Sequence, residues 1–218
     1  TGKTMHEVNQ SYFQDARTVQ LFDRYATYNG SDPYQTPGTL AVIPHLEHNI
    51  GAFFPEKGMY DIVNSLYQLA LDEGVQFHFS EKVNSVNLNA SVAKGIVSEQ
   101  GAYDYDLVIS DVDIFTLYQH MLPGEEIPQK QLSQERSSSA LIFYWGVEGT
   151  HENLEVHNIL FSKDYKREFE KIFSEKTMPG DPTVYVFISR KAVESDAPDG
   201  HENWFVMVNT PPDTGQNW

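Results

Sequence analysis

The sequence predicts an α+β fold with a mixed or antiparallel sheet, and three patterns support it. Residues 58–73 repeat apolar side chains every three or four positions, which is typical of an amphipathic helix. Residues 82–88, 92–100 and 103–110 are short runs rich in Val, Ile and Tyr, separated by turn residues, which indicates a meander of strands. Residues 140–148, 184–189 and 203–208 are apolar and aromatic and predict a second set of strands.

Composition limits the function classes. The chain has 218 residues, 40% of them hydrophobic, and a formal net charge of −16, which argues against nucleic acid as a partner because a phosphate-binding face needs clustered Lys and Arg. It has no cysteine, so disulfides, thiolate catalysis and cysteine-based metal centres are excluded. No apolar run approaches the ~20 residues of a membrane span. Both termini look cut, so we expect an internal piece of a larger protein.

The N-terminal third is predicted to contain a helix over residues 11–28, with Gly30 as its C-cap. Arg24 is expected to be a solvated helix charge and Tyr25 a core residue; the alternative places Tyr25 or Tyr28 in an apolar substrate tunnel. Pro44 is expected to bend or end any helix within residues 39–50, because proline has no N–H to donate.

The histidines of this third do not make a convincing metal site. His45 and His48 have a helical spacing that would suit a metal pair, but no third ligand follows in a matching context. We therefore predict no metal.

The middle of the chain begins with the helix at 58–73, which Gly74 ends. Residues 75–79 and 107–113 are also predicted as strands, the latter buried and ending in polar residues. Asp111 and Asp113 form an Asp-x-Asp pair like that of metal-dependent glycosyl transferases, but we expect Asp113 to cap a helix at 114–122. Further on, residues 123–136 are predicted as a surface loop, and Asp164 as the N-cap of a helix at 164–174.

The order of motifs resembles the phytoene-desaturase type of carotenoid desaturases, which are flavoproteins of the amine-oxidase-like class. The match to the family's central pattern falls on Gly30, Asp32, Pro33, Tyr34, Pro37, His45, Glu47, Gly51, Phe53, Phe54, Pro55 and Gly58. Lys57 departs from it, because the family has the first glycine of a Gly-Gly pair there. Details of residues 48–58 and 137–146 resemble the branch that acts on hydroxylated or methoxylated neurosporenes.

The resemblance implies a substrate domain, formed by residues 1–50 and 114–218, and part of a Rossmann-like FAD-binding domain, formed by residues 51–113. It implies a non-covalent FAD whose adenine end contacts the backbone of Val83, and a linear C40 isoprenoid substrate. Tyr25, His45 and His157 are the residues we expect nearest the substrate. No residue is identified as a catalytic base.

The resemblance also implies a cytoplasmic enzyme that is peripherally associated with membranes, from which it collects its substrate. The sequence contains no Gly-x-Gly-x-x-Gly turn for the flavin pyrophosphate, so we expect this chain alone to bind no flavin and to be inactive. Three other interpretations remain open at this point: a non-enzymatic module that binds isoprenoid or lipid, another amine-oxidase-like flavoenzyme, and a structural or interaction domain with a buried aromatic core.

Overall fold

The computed structural model describes residues 2–216. The chain forms two compact units, one made of Thr1–Leu66 together with Arg136–Trp218 and the other of Tyr67–Glu135. The first unit contains most of the helices and a four-stranded sheet, and the second contains a three-stranded meander. The predicted α+β class is therefore confirmed.

The first unit opens with helices α1 (Met5–Tyr12) and α2 (Ala16–Asp23), and α2 continues as a 3-10 helix over Arg24–Asn29. The prediction of one helix over 11–28 is wrong, because the chain breaks before α2. Asp15 begins α2 by accepting hydrogen bonds on its carboxylate from the backbone N–H groups of Arg17 and Thr18. Gly30 has a φ of 59°, in the left-handed region, so its role as a C-cap is confirmed.

Helix α3 (Val42–Ile50) follows a 3-10 turn at Gly38–Ala41. The expectation that Pro44 bends or ends a helix here is wrong. Pro44 lies in the first turn of α3, where backbone N–H groups have no partner within the helix, so the missing donor removes no hydrogen bond.

Helix α4 (Tyr60–Asp72) confirms the predicted helix, and Gly74, with a φ of 83°, follows its end. None of its residues is buried. Its exposed apolar residues include Leu66, at 61% exposure, and Leu69, at 55%.

The second unit contains strands β1 (Val83–Asn89), β2 (Val92–Ser98) and β3 (Ala102–Asp104), which pair antiparallel in the order β1-β2-β3. The meander is confirmed. Residues 75–79 and 107–113 form no strand, so those two predictions are wrong: no neighbouring strand pairs with either segment within residues 2–216. Leu107 and Ile109 are 73% and 87% exposed rather than buried.

The same unit ends with helices α5 (Ile114–Thr116), followed by a π-helical turn at Leu117–Met121, and α6 (Gln129–Leu132). The Asp113 carboxylate accepts hydrogen bonds from the N–H groups of Phe115 and Thr116, which confirms its capping role. Residues 123–136, which the sequence predicts as a surface loop, contain the short helix α6.

The four-stranded sheet consists of β4 (Ser139–Glu148), β5 (His157–Leu160), β6 (Val184–Ile188) and β7 (His201–Thr210). Its strand order is β4-β7-β6-β5 and every pair is antiparallel. One face of the sheet carries a buried core of Val186, Ile188 and Val206, against which Leu154 and Trp204 pack.

Helix α7 (Tyr165–Phe169) precedes β6 and continues as a π-helical turn over Glu170–Glu175. Asp164 caps it, as predicted, by accepting from the N–H of Arg167. Tyr165, Phe169 and Ile172 are buried, so this segment packs an apolar face into the interior.

Candidate functional site

The face of the sheet opposite the Val186 core is lined by aromatic side chains. Residues paired directly across an antiparallel sheet share a face, so the strand registers place the following residues together on what we call the aromatic face: Ile142, Tyr144, His157, Tyr185, Phe187, Phe205 and Met207. The ring of Phe205 contacts Tyr144 at a centroid distance of 5.5 Å and Tyr185 at 6.3 Å. Three adjacent strands thus present one connected row of rings.

The aromatic face continues onto the segment before α4. The ring of Phe54 lies 6.0 Å from that of Phe187, and Phe187 lies 5.1 Å from the imidazole of His157. A wall of this kind is suited to a long apolar ligand, because large flat side chains offer contact area with few polar atoms to desolvate.

Polar groups interrupt the wall at β5 and β6. The Nδ1 atom of His157 lies 2.8 Å from the hydroxyl oxygen of Tyr185. Burial raises the pKa of Tyr185, the neighbouring Tyr28 raises it further, and the Arg24 guanidinium opposes both. The 3-10 helix that carries Arg24 and Tyr28 therefore lies near this point of the sheet.

Tyr25 belongs to the same 3-10 helix and joins it to α3. Its hydroxyl donates to Oε1 of Glu47 over 2.9 Å, and the hydroxyl of Tyr28 donates to Oε2 of the same carboxylate over 3.2 Å. The two tyrosine rings are stacked with centroids 5.5 Å apart. Burial raises the pKa of Tyr25, and the hydrogen bond to Glu47 raises it further.

The structure separates the residues that the sequence grouped. Tyr25 and His157 both belong to the first unit, and Tyr28 links their surroundings. His45 is exposed, its Nδ1 lies 3.1 Å from the side-chain amide of Asn49, and it has no contact with Tyr25 or His157 in the part of the chain described. Val83 begins β1 in the second unit, opposite Ser98. The roles of all four stay predictions.

Two residues near the aromatic face differ from expectation or were missed. Arg24 was expected to be solvated, but it is only 8% exposed, because the fold encloses it near Tyr165 of α7 and Tyr185 of β6. Tyr185 was not singled out. The alternation of aromatic residues at Tyr185 and Phe187 along one strand was the signal that could have identified it.

A separate groove of about 750 Å³ lies between α1, α2 and the start of α7. At its base the buried carboxylate of Asp23 lies 2.6 Å from Nδ1 of His6 and accepts from the Asn9 amide over 2.8 Å. These bonds join α1 to α2, and none of the predicted site residues lines the groove. Across residues 2–216, no three His, Asp or Glu side chains are arranged to hold a metal ion.

Comparisons with known proteins show what the chain is similar to. No protein-family model matches the chain. It is 48% identical, over 217 residues and 100% of its length, to a 1-hydroxycarotenoid 3,4-desaturase from a Flavobacterium species. The chain is homologous to the carotenoid desaturases.

The chain is also similar to other carotenoid desaturases. A zeta-carotene-forming phytoene desaturase from Myxococcus xanthus is 31% identical over 92% of the chain. The chain covers 44% of the Flavobacterium protein and 39% of the Myxococcus protein, so it spans less than half the length of these carotenoid desaturases.

The fold is also shared with a solved structure. An oxidoreductase from Methanosarcina mazei superimposes with a TM-score of 0.65 at 16% identity, over 97% of this chain and 48% of that one. This likeness supports the fold. Within residues 2–216, no helix is both long enough and apolar enough to span a bilayer.

Proposed function

We propose that this chain, as part of a protein of its relatives' length, belongs to an FAD-dependent carotenoid desaturase that introduces a double bond into a linear C40 isoprenoid. The observation that carries the proposal is the 48% identity to a 1-hydroxycarotenoid 3,4-desaturase along the whole chain. That relative also favours a hydroxylated carotenoid as substrate over phytoene, because the phytoene desaturase from Myxococcus is less similar.

The aromatic face supports an apolar substrate. Its rings present a wall across β4, β7, β6 and β5, and the Phe54 ring extends that wall. A polyene has no charge to stabilise and gains from contact with flat apolar surface. His157 belongs to this wall and the ring of Tyr25 is stacked on that of Tyr28; we propose that Tyr25 and His157 contact substrate, with His45 further out on α3.

The cofactor proposal follows from the chemistry. Desaturation removes two hydrogens and needs a two-electron acceptor, which FAD supplies when bound. The residues described fit only part of such a cofactor. β1 is an edge strand, so one row of backbone groups around Val83 has no strand partner within residues 2–216 and suits a backbone contact. The sequence has no glycine-rich turn for the pyrophosphate, so we propose FAD binding for the longer protein only.

The assignment of substrate binding and FAD binding to separate regions of the chain is also a proposal. We assign substrate binding to residues 1–50 and 114–218, and part of the FAD-binding domain to residues 51–113. A substrate that resides in lipid favours a protein that is cytoplasmic and peripherally membrane-associated.

The test is expression of the complete gene in cells that accumulate phytoene, neurosporene or a 1-hydroxylated carotenoid. We expect the hydroxylated carotenoid to give a product with a red-shifted absorption spectrum, since each new double bond lengthens the conjugated system. Cells carrying the empty vector are the control. Unchanged pigment from all three substrates, with the protein present, would refute the proposal.

Cofactor binding by the chain itself is tested separately. The purified 218-residue chain should show no flavin absorbance after incubation with FAD and gel filtration. A stoichiometric yellow complex would show that these residues suffice for binding.

A further inference from the structure

The interruption of the aromatic face is a cluster of hydrogen-bonding groups, which we call the hydroxyl cluster: Arg24, Tyr28, His157 and Tyr185. His157 and Tyr185 are hydrogen-bonded over 2.8 Å, and their rings are stacked at 6.1 Å. Since Tyr28 and Arg24 both shift the pKa of Tyr185, they lie within electrostatic range of its hydroxyl. The cluster brings phenol and imidazole groups to a surface that is otherwise apolar, with the buried guanidinium of Arg24 within electrostatic range of Tyr185.

Arg24 has unused hydrogen-bonding capacity. Its Nη1 atom is buried and makes no hydrogen bond within residues 2–216, and the hydroxyl of Tyr165, which senses the Arg24 charge, is buried without one as well. An unsatisfied buried donor is unfavourable, and native proteins leave few of them unless a water or ligand completes the set. The cluster therefore contains a donor whose partner is not supplied by the described residues.

The charges near the cluster select the kind of partner. Glu47 accepts from Tyr28, and Glu168, whose pKa is raised mainly by burial, feels the Arg24 charge. With Glu168 near the guanidinium and Glu47 bonded to Tyr28, an anionic ligand would meet repulsion as well as attraction. A neutral hydroxyl or ether oxygen fits better, because it accepts a hydrogen bond from a phenol, an imidazole or Arg24 and brings no charge.

We propose that the hydroxyl cluster binds the oxygen-bearing end of a linear isoprenoid whose apolar length lies along the aromatic face. This inference rests on the proposed function and adds a specificity site to it. A substrate ending in a hydroxyl satisfies the donors and acceptors of Tyr185 and His157. A hydrocarbon end removes water from them without replacing its hydrogen bonds, so it binds less well.

The test compares two isoprenoids of equal length, one ending in a hydroxyl and the other in hydrocarbon, with the full-length protein. The variants are Tyr185→Phe and His157→Phe, with Tyr12→Phe as the matched control, because Tyr12 is 79% exposed on α1. Binding is measured by quenching of tryptophan fluorescence and turnover by product spectra. Each cluster variant should weaken binding of the hydroxylated ligand about three- to tenfold, the usual size of one lost hydrogen bond, and leave the hydrocarbon ligand unchanged or improved.

The outcomes separate this inference from the proposed function. If the wild type converts a carotenoid but Tyr185→Phe affects both ligands equally or neither, the hydroxyl cluster is not a recognition site and the proposed function stands. If no carotenoid is converted but the variants still change the preference between the two ligands, the proposed function fails and the cluster stands. Absence of any preference in the wild type overturns the inference directly.

Discussion

The hydroxyl of Tyr25 donates a hydrogen bond to the carboxylate of Glu47 over 2.9 Å, and this bond joins the 3-10 helix after α2 to α3. The 3-10 helix also carries Arg24 and Tyr28, so the bond helps to set the position of both residues. Its loss should therefore affect stability locally and the hydroxyl cluster indirectly.

Tyr25→Phe should lower the free energy of unfolding by about 1 kcal/mol, the ordinary net value of one hydrogen bond. Tyr28→Phe should cost less, because Tyr28 is 69% exposed and its bond to Glu47 is longer, at 3.2 Å. Urea denaturation of the chain measures both. A larger loss for Tyr28→Phe than for Tyr25→Phe would contradict this ranking.

Glu202 should make the first unit sensitive to acid. Its side chain is 2% exposed; burial alone would raise its pKa, but hydrogen bonds from His151 and from the Trp204 indole, together with Lys191, lower it to about 2. A carboxyl group whose pKa is lowered in the folded state stabilises the fold above its unfolded pKa, about 4.3, and that contribution disappears as the pH falls toward 2.

Glu202→Gln should consequently be destabilised relative to wild type by about 1–3 kcal/mol near neutral pH, and the difference should shrink between about pH 4 and pH 2. Thermal unfolding followed by circular dichroism across this range measures it. Glu152→Gln, at an exposed position close in sequence to His151, is the control. A difference that does not depend on pH would exclude the charge as its cause.

Tyr165 should contribute to alkaline unfolding. Burial raises its pKa, so the folded chain keeps the phenol proton above about pH 10, where an unfolded tyrosine loses it. Stability therefore falls as the pH rises above about 10. Tyr165→Phe should reduce that loss, because phenylalanine has no proton to lose. Melting temperatures at about pH 8 and pH 11 decide this, with Tyr12→Phe expected to leave the loss unchanged.

The apolar surface of α4 should limit the solubility of the chain. Leu66 and Leu69 are more than half exposed on a helix with no buried residue. Exposed apolar patches promote association, so Leu66→Glu combined with Leu69→Lys should lower self-association several-fold in light scattering without reducing the melting temperature. Val92→Lys, at an exposed valine of β2, should not have this benefit. Equal improvement by both would argue against a specific role of α4.

Local patterns predicted much of this fold because they concern neighbours in sequence. The period of α4, the meander of β1 to β3 and the caps at Asp113 and Asp164 all depend on residues a few positions apart. The break before α2 could also have been predicted, since Asp15 is a typical N-cap followed by a helical run.

Other features depend on distant parts of the chain and could not be predicted locally. Residues 75–79 and 107–110 have strand composition, but a strand needs a partner, and composition does not supply one. Arg24 looks like a solvated helix charge until tertiary packing encloses it. The resemblance placed His157 near the substrate, but its hydrogen bond to Tyr185 follows from the register of β5 and β6.

Strand β4 forms one edge of its sheet and is ten residues long. Its outer row of amide and carbonyl groups has no partner strand within residues 2–216, and Leu141, Phe143 and Trp145 flank it with exposed apolar side chains. An open edge of this length is a template on which a second copy can add a strand of its own, as in fibril growth. A lysine or proline introduced on β4 would be the simplest way to keep concentrated preparations of this chain free of such assemblies.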